Sequence, residues 1–70
     1  MTRQKVTSSN IASIGYESST LTLEVEFNNG SIYQYSNVPS NIHTALMSAS
    51  SHGTYLNSNI KGRYNYRQIR

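Results

Sequence analysis

The chain has 70 residues and a formal net charge of +3, with 36% hydrophobic and 13% charged residues. It contains no Cys and no Asp, and Glu17, Glu24 and Glu26 are its only acids. These counts exclude disulfide scaffolds, thiolate metal centres, cysteine nucleophiles and aspartate-based catalytic sites. At this length one domain is the ceiling, and a core so small leaves a margin of about 3–5 kcal/mol. Self-association would bury more apolar surface, so a homo-oligomer is a reasonable expectation. No apolar run marks a signal peptide or a membrane span, and the expected location is the cytoplasm.

Charge is unevenly placed. Residues 1–35 carry a net −1 and residues 36–70 a net +4, from Lys61, Arg63, Arg67 and Arg70 without an acid. Such polarity points to an anionic partner, although a small domain also uses positive charge for solubility.

Residues 1–9 are polar and aperiodic and read as a loose arm before a single domain over residues 10–70. Residues 10–17 read as a first strand, with Ala12, Ile14 and Tyr16 on one face. Residues 20–27 alternate strictly. Leu21, Leu23, Val25 and Phe27 fall on one face, and Thr20, Thr22, Glu24 and Glu26 on the other. Period-two alternation of this kind predicts a half-buried strand with its acids in solvent. Asn28-Asn29-Gly30 is turn chemistry, and residues 31–36 form the returning strand. A three-residue loop with Gly30 left-handed would pair Val25 with Tyr33 and Leu23 with Tyr35, placing both rings on the core side. A two-residue loop would slip the register and send both outward. The large partners that Leu23 and Val25 require favour the first.

Val38-Pro39 opens a helix with Ile42, Ala45, Leu46 and Ala49 at amphipathic spacing. A second helix is expected from about Ser51 to Lys61, with Tyr55, Leu56, Asn59 and Ile60 on one side, stopping at Gly62. The predicted architecture is α+β: a small three-stranded antiparallel sheet packed against two short C-terminal helices.

Taken in order, Ser9-Asn10-Ile11, Ile14-Gly15-Tyr16, Leu23-Glu24-Val25-Glu26-Phe27, Gly30, Tyr33-Gln34-Tyr35, Val38-Pro39, Ser51, Gly53, Tyr55, Asn57, Ile60, Tyr64 and Arg67 resemble the KTSC domain family. That domain is named for the C-terminus of some lysyl-tRNA synthetases and also occurs as a small bacterial or phage protein. The likeness covers residues 8–70, and Tyr-x-Tyr is its most recognisable feature. It implies a stand-alone domain, with RNA binding suggested by the synthetase context.

Three groups of residues are candidates for ligand binding. Tyr33 and Tyr35 would stack bases if exposed, or close the core over Leu23 and Val25 if not. Lys61, Arg63, Tyr64, Tyr66, Arg67 and Arg70 interleave cations with rings, as phosphate neutralisation with stacking requires. Arg63 and Arg67 would share a face if helix persisted there. A helix C-terminus also accounts for Lys61 and Arg63. Ser51, Gly53, Tyr55 and Asn57 surround the start of the second helix, where free N–H groups would hold a phosphate, or Ser51 would simply cap it. His43 is expected on an exposed helical side and His52 at a helix start, with no third metal ligand nearby.

The function expected from these features is a non-catalytic nucleic-acid or nucleotide binding module without a cofactor. The alternatives are a phage-encoded oligomer that sequesters a nucleotide signal, and a structural or protein-interaction domain.

Overall fold

A computed structural model describes all 70 residues. Five antiparallel strands run in sequence order: β1 (Arg3–Lys5), β2 (Ile11–Glu17), β3 (Thr22–Phe27), β4 (Ile32–Tyr35) and β5 (Tyr66–Gln68). Two helices, α1 (Ser40–Ser48) and α2 (His52–Asn59), lie between β4 and β5. Both contribute to one core, in which Leu46, Leu56 and Ile60 meet Ile11, Ile14, Leu23, Val25, Tyr35 and Val38. The α+β architecture and the helix pair match the sequence expectation, but the sheet has five strands rather than three. The N-terminal segment expected as a loose arm supplies β1, and the basic tail supplies β5. No helix is long and apolar enough to cross a membrane.

The β3–β4 hairpin has the three-residue loop. Phe27 N–H bonds Ser31 O at 2.8 Å, Gly30 N–H bonds Phe27 O at 2.9 Å, and Gly30 has φ 93°. Positive φ is cheap only without a Cβ, so the turn needs glycine at this position. The register follows: Val25 opposite Tyr33 and Leu23 opposite Tyr35.

Other local expectations need correction. Leu21 lies outside β3, with φ 55° and an exposed side chain, while its carbonyl accepts from Val38 N–H at 2.9 Å. In β2 a bulge between Ile11 and Ser13 shifts the register. The extra residue absorbs one step of the alternation, so Ile11 rather than Ala12 reaches the core. Pro39 is the N-cap of α1, not its first helical residue. His43 is not free in solvent: its ring stacks on Tyr16 at 4.7 Å and 8°, and burial lowers its pKa. The Tyr16 hydroxyl donates to Val38 O at 2.5 Å.

The sheet face away from the helices is polar, and its acids are engaged rather than solvated. Arg3, Gly15, Glu24, Gln34 and Arg67 are in register across all five strands. Glu24 is only 7% exposed. It accepts from Arg3 and, at 2.8 Å, from Gln34 Nε2. Arg67 Nη2 donates to Gln34 Oε1 at 3.3 Å. A second chain links Arg3 Nε to Ser13 Oγ at 2.9 Å, Ser13 Oγ to Glu26 Oε1 at 2.8 Å, and Arg70 Nη2 to Glu26 Oε2 at 3.3 Å. Arg3 crosses the row over Gly15. A Cβ there would lie 3.0 Å from Arg3 Cγ, 3.1 Å from Met1 Sδ and 3.1 Å from Thr2 O.

Two tests follow from this geometry. Gly15→Val forces backbone at Thr2 to move as well as the Arg3 stem, so β1 should detach. The cost should be about 1–3 kcal/mol, read as a lower Tm and faster amide exchange in β1. An unchanged melting curve would mean that the Arg3 crossing contributes nothing.

The second test is pH. Burial alone would raise the Glu24 pKa, but hydrogen bonds from Gln34 and Arg3, with the charges of Arg3 and the N-terminus, hold it below its ordinary value of 4.5. A depressed folded-state pKa contributes stability that is complete above the unfolded value and lost as pH falls through the folded one. His43, also depressed, gives a loss of the same sign that begins nearer its ordinary 6.5. Urea unfolding of Glu24→Gln at a series of pH values should keep the upper phase and lack much of the loss below about 4.5. A variant that reproduces the wild-type acid limb would place that stability elsewhere.

Candidate functional site

On the helix side of the sheet, the aromatic residues of β3, β4 and β5 do not pack shut. Because strand side chains alternate, the pairing of Tyr35 with Tyr66 turns Tyr66 to the helix side and Arg67 to the polar side. Phe27 and Tyr33 meet edge to face at 5.4 Å and 86°. Tyr33 and Tyr66 are tilted at 5.5 Å, and Tyr35 and Tyr66 at 5.9 Å. These four rings form one wall of a cleft of about 660 Å³, within the usual range of ligand sites.

The rest of the lining is polar. It comprises Ser9 and Asn10 before β2, Asn28, Asn29 and Ser31 of the hairpin, and Asn57, Lys61 and Gly62 at the end of α2. Local hydrogen bonds hold the loops in place. Asn28 N–H bonds Asn10 O at 2.8 Å, and its Nδ2 donates to Ser8 O at 3.1 Å. Ser8 Oγ accepts from Asn10 N–H and Ile11 N–H, both at 3.2 Å. Asn29 Oδ1 accepts from Ser31 N–H at 3.0 Å. The Asn10 side chain sits beside Gly53, where a Cβ would lie 3.2 Å from its Nδ2.

Several polar groups in the cleft are unclaimed. The fold's side-chain hydrogen bonds leave out the Asn10 and Asn57 amides and the Tyr33 and Tyr35 hydroxyls. Tyr35 is the most informative of these. The residue is 1% exposed, yet no enclosed side-chain polar atom of the chain lacks a partner. Its unbonded hydroxyl is therefore not sealed from solvent, and the residue lines the cleft. Burial, followed by the neighbouring Tyr33 and Tyr66, pushes its pKa up to about 12. The hydroxyl stays protonated and offers a donor.

No acid lines the cleft. The ion pairs of the chain join Arg3 to Glu24 and Glu26, and Arg70 to Glu26, so Lys61 and Arg63 are unpaired. An anion approaching Lys61 meets no competing carboxylate.

Of the residues singled out from sequence, the cleft gathers Tyr33, Tyr35, Asn57, Lys61 and Tyr66. The others lie elsewhere. Ser51 caps α2, its Oγ accepting from Thr54 N–H at 3.3 Å. Gly53 is buried against Asn10, supporting the cleft from behind. Tyr55 and Tyr64 pack on the core. Arg63 and Arg67 do not share a face. Helix α2 ends at Asn59, so Arg63 stands in the following turn, and Arg67 joins the polar row beside Gln34. Sequence reasoning missed Asn10, Asn28, Asn29 and Ser31. In the sequence, Asn28 and Asn29 read only as turn formers, and Asn10 only as the start of a strand. Their polar side chains flanking an alternating hairpin were the available signal.

The KTSC domain profile matches residues 7–64, and the chain belongs to that family. It is 44% identical over 54 residues to a lysine–tRNA ligase of Trichormus variabilis, a match that covers 77% of this chain and 10% of the ligase. The chain thus spans about a tenth of the length of the ligases it matches. An uncharacterized protein of Stutzerimonas stutzeri is 39% identical, with 99% of each chain covered. The crystal structure of a KTSC domain protein from Yersinia pestis superposes with a TM-score of 0.93 at 43% identity, covering 99% of this chain and 97% of the other.

Proposed function

We propose that this KTSC domain is a non-catalytic binding module for a nucleotide unit, as a free nucleotide or within single-stranded RNA, and that the aromatic cleft is its site. The observation that carries the reading is the Tyr35 hydroxyl, an unpartnered donor on a buried side chain that lines an acid-free cleft with the free Lys61. Aromatic faces stack any base, at about 1–3 kcal/mol each. The Asn10 and Asn57 amides offer donors and acceptors to a base edge, and Lys61 suits a phosphate. The cleft lining contains no carboxylate, imidazole or thiol to serve as a general base or nucleophile. RNA is favoured over DNA because the ligases carrying a similar segment are named for a tRNA substrate.

The test is titration of a short single-stranded RNA, with tyrosine fluorescence as the readout. The wild type should bind with an affinity that falls as salt rises. Tyr35→Phe removes a hydroxyl that bonds nothing in the fold, so Tm should stay the same while affinity drops about tenfold, the value of one hydrogen bond. Lys61→Ala should weaken binding and reduce the salt slope by about one phosphate contact. Arg67→Ala, on the opposite face, should leave affinity unaltered. Absence of binding by the wild type, or equal affinity in Tyr35→Phe and Lys61→Ala, would overturn the reading.

A further inference from the structure

Tyr66 is 62% exposed, the most exposed of the large hydrophobic and aromatic side chains. It stands on the edge strand β5 with no further strand to cover it, and it lines two hollows rather than one. The first is the cleft of about 660 Å³ shared with Phe27, Tyr33, Tyr35 and Lys61. The second is a shallower hollow of about 470 Å³, formed by Gly62, Arg63, Tyr64, Asn65 and Tyr66. Gly62 also borders both, so the turn Lys61-Gly62-Arg63 runs along the rim that joins them, with an unpaired cation on either side of the glycine.

We propose that the site takes two successive nucleotides of a single strand. This rests on the nucleotide reading of the cleft. One base lies among Tyr33, Tyr35 and Tyr66. The next lies in the hollow of Tyr64 and Asn65, so that Tyr66 separates the two bases. The phosphate between them faces Lys61 and Arg63. The arrangement explains why β5 ends the sheet with a ring left open to solvent and why two cations without carboxylate partners flank the glycine shared by the hollows. An aromatic ring has two faces, and stacking tolerates any base on each. A duplex cannot use such a partition, because its bases are already stacked on one another. The ligand is therefore a single strand or a linear dinucleotide.

Calorimetric titration with AMP, ADP and the ribodinucleotide pApA separates the outcomes. ADP carries an added phosphate without a second base and controls for charge. The wild type should bind pApA at least tenfold more tightly than either mononucleotide. Arg63→Ala, an exposed substitution, should remove most of that advantage, with a much smaller loss of AMP affinity. Tyr66→Leu should weaken both AMP and pApA, with its melting curve confirming the fold. If pApA binds no better than ADP while AMP still binds, the site holds one nucleotide; the two-nucleotide proposal falls and the single-nucleotide reading stands. If Arg63→Ala retains the full advantage, the second hollow is not the second position and the proposal is again overturned. If none of the three ligands binds, both readings fail together.

Discussion

The buried carboxylate of Glu24 is the constraint around which this small sheet is organised. Helices cover only one face of the five strands, and the other must be closed by side chains of the sheet itself. Glu24 sits at the centre of that face and is tied to Arg3 on β1 and Gln34 on β4, with Arg67 on β5 reached through Gln34. A buried charge without partners would be costly, so each partner is required once the carboxylate is enclosed. The two outermost strands have three residues each. Ladder hydrogen bonds alone give such short strands little hold, and the row of side chains crossing them adds the missing attachment.

The same network shapes the electrostatics of the opposite face. Glu24 and Glu26 lie on the polar side with Arg3 and Arg70, and Glu17 is hydrogen-bonded by Ser19 Oγ at 2.9 Å. With every acid engaged away from the aromatic cleft, Lys61 and Arg63 project a positive potential that nothing nearby cancels. The sequence-level asymmetry in charge, +4 against −1 between the two halves, is therefore misleading in one respect. Half of those C-terminal cations, Arg67 and Arg70, serve the polar face. The field at the cleft comes from the remaining two.

Which parts were legible in the sequence follows from the strength of the local signal. The β3–β4 hairpin was readable to the register, because strict alternation, an Asn-Asn-Gly turn and the volume requirements of Leu23 and Val25 all agreed. The helices were readable from apolar spacing and the Ser51 cap. Strands β1 and β5 were not, because Arg3-Gln4-Lys5 and Tyr66-Arg67-Gln68 carry no apolar alternation. Each is a strand only because a neighbour offers an open edge, a long-range circumstance that no window of sequence contains. The Arg63 and Arg67 pairing failed for the same reason. Four-residue spacing means a shared face only in a helix, and in an edge strand that begins between the two it means nothing. The cleft was half legible. Tyr33, Tyr35, Asn57, Lys61 and Tyr66 were named from type and spacing, whereas Asn10 is tied to the hairpin turn through its carbonyl, which accepts from Asn28 N–H.

The choice between a structural and a binding role for the Tyr-x-Tyr pair dissolves once the register is known. The Tyr35 ring belongs to the core, in contact with the same cluster as Leu23 and Val25, while its oxygen has no protein partner. Phenylalanine would meet the packing requirement as well, since the hydroxyl contributes no bond to the fold. In the free chain the hydroxyl meets solvent rather than a protein group, so it adds nothing to the fold that phenylalanine would lack. On the proposed reading, a bound group accepts from it. On that reading the residue carries two separable properties: a ring that sets stability and an oxygen whose value appears only in a complex. The proposed site gains rigidity from this arrangement, because the ring that positions the donor cannot move without opening the core.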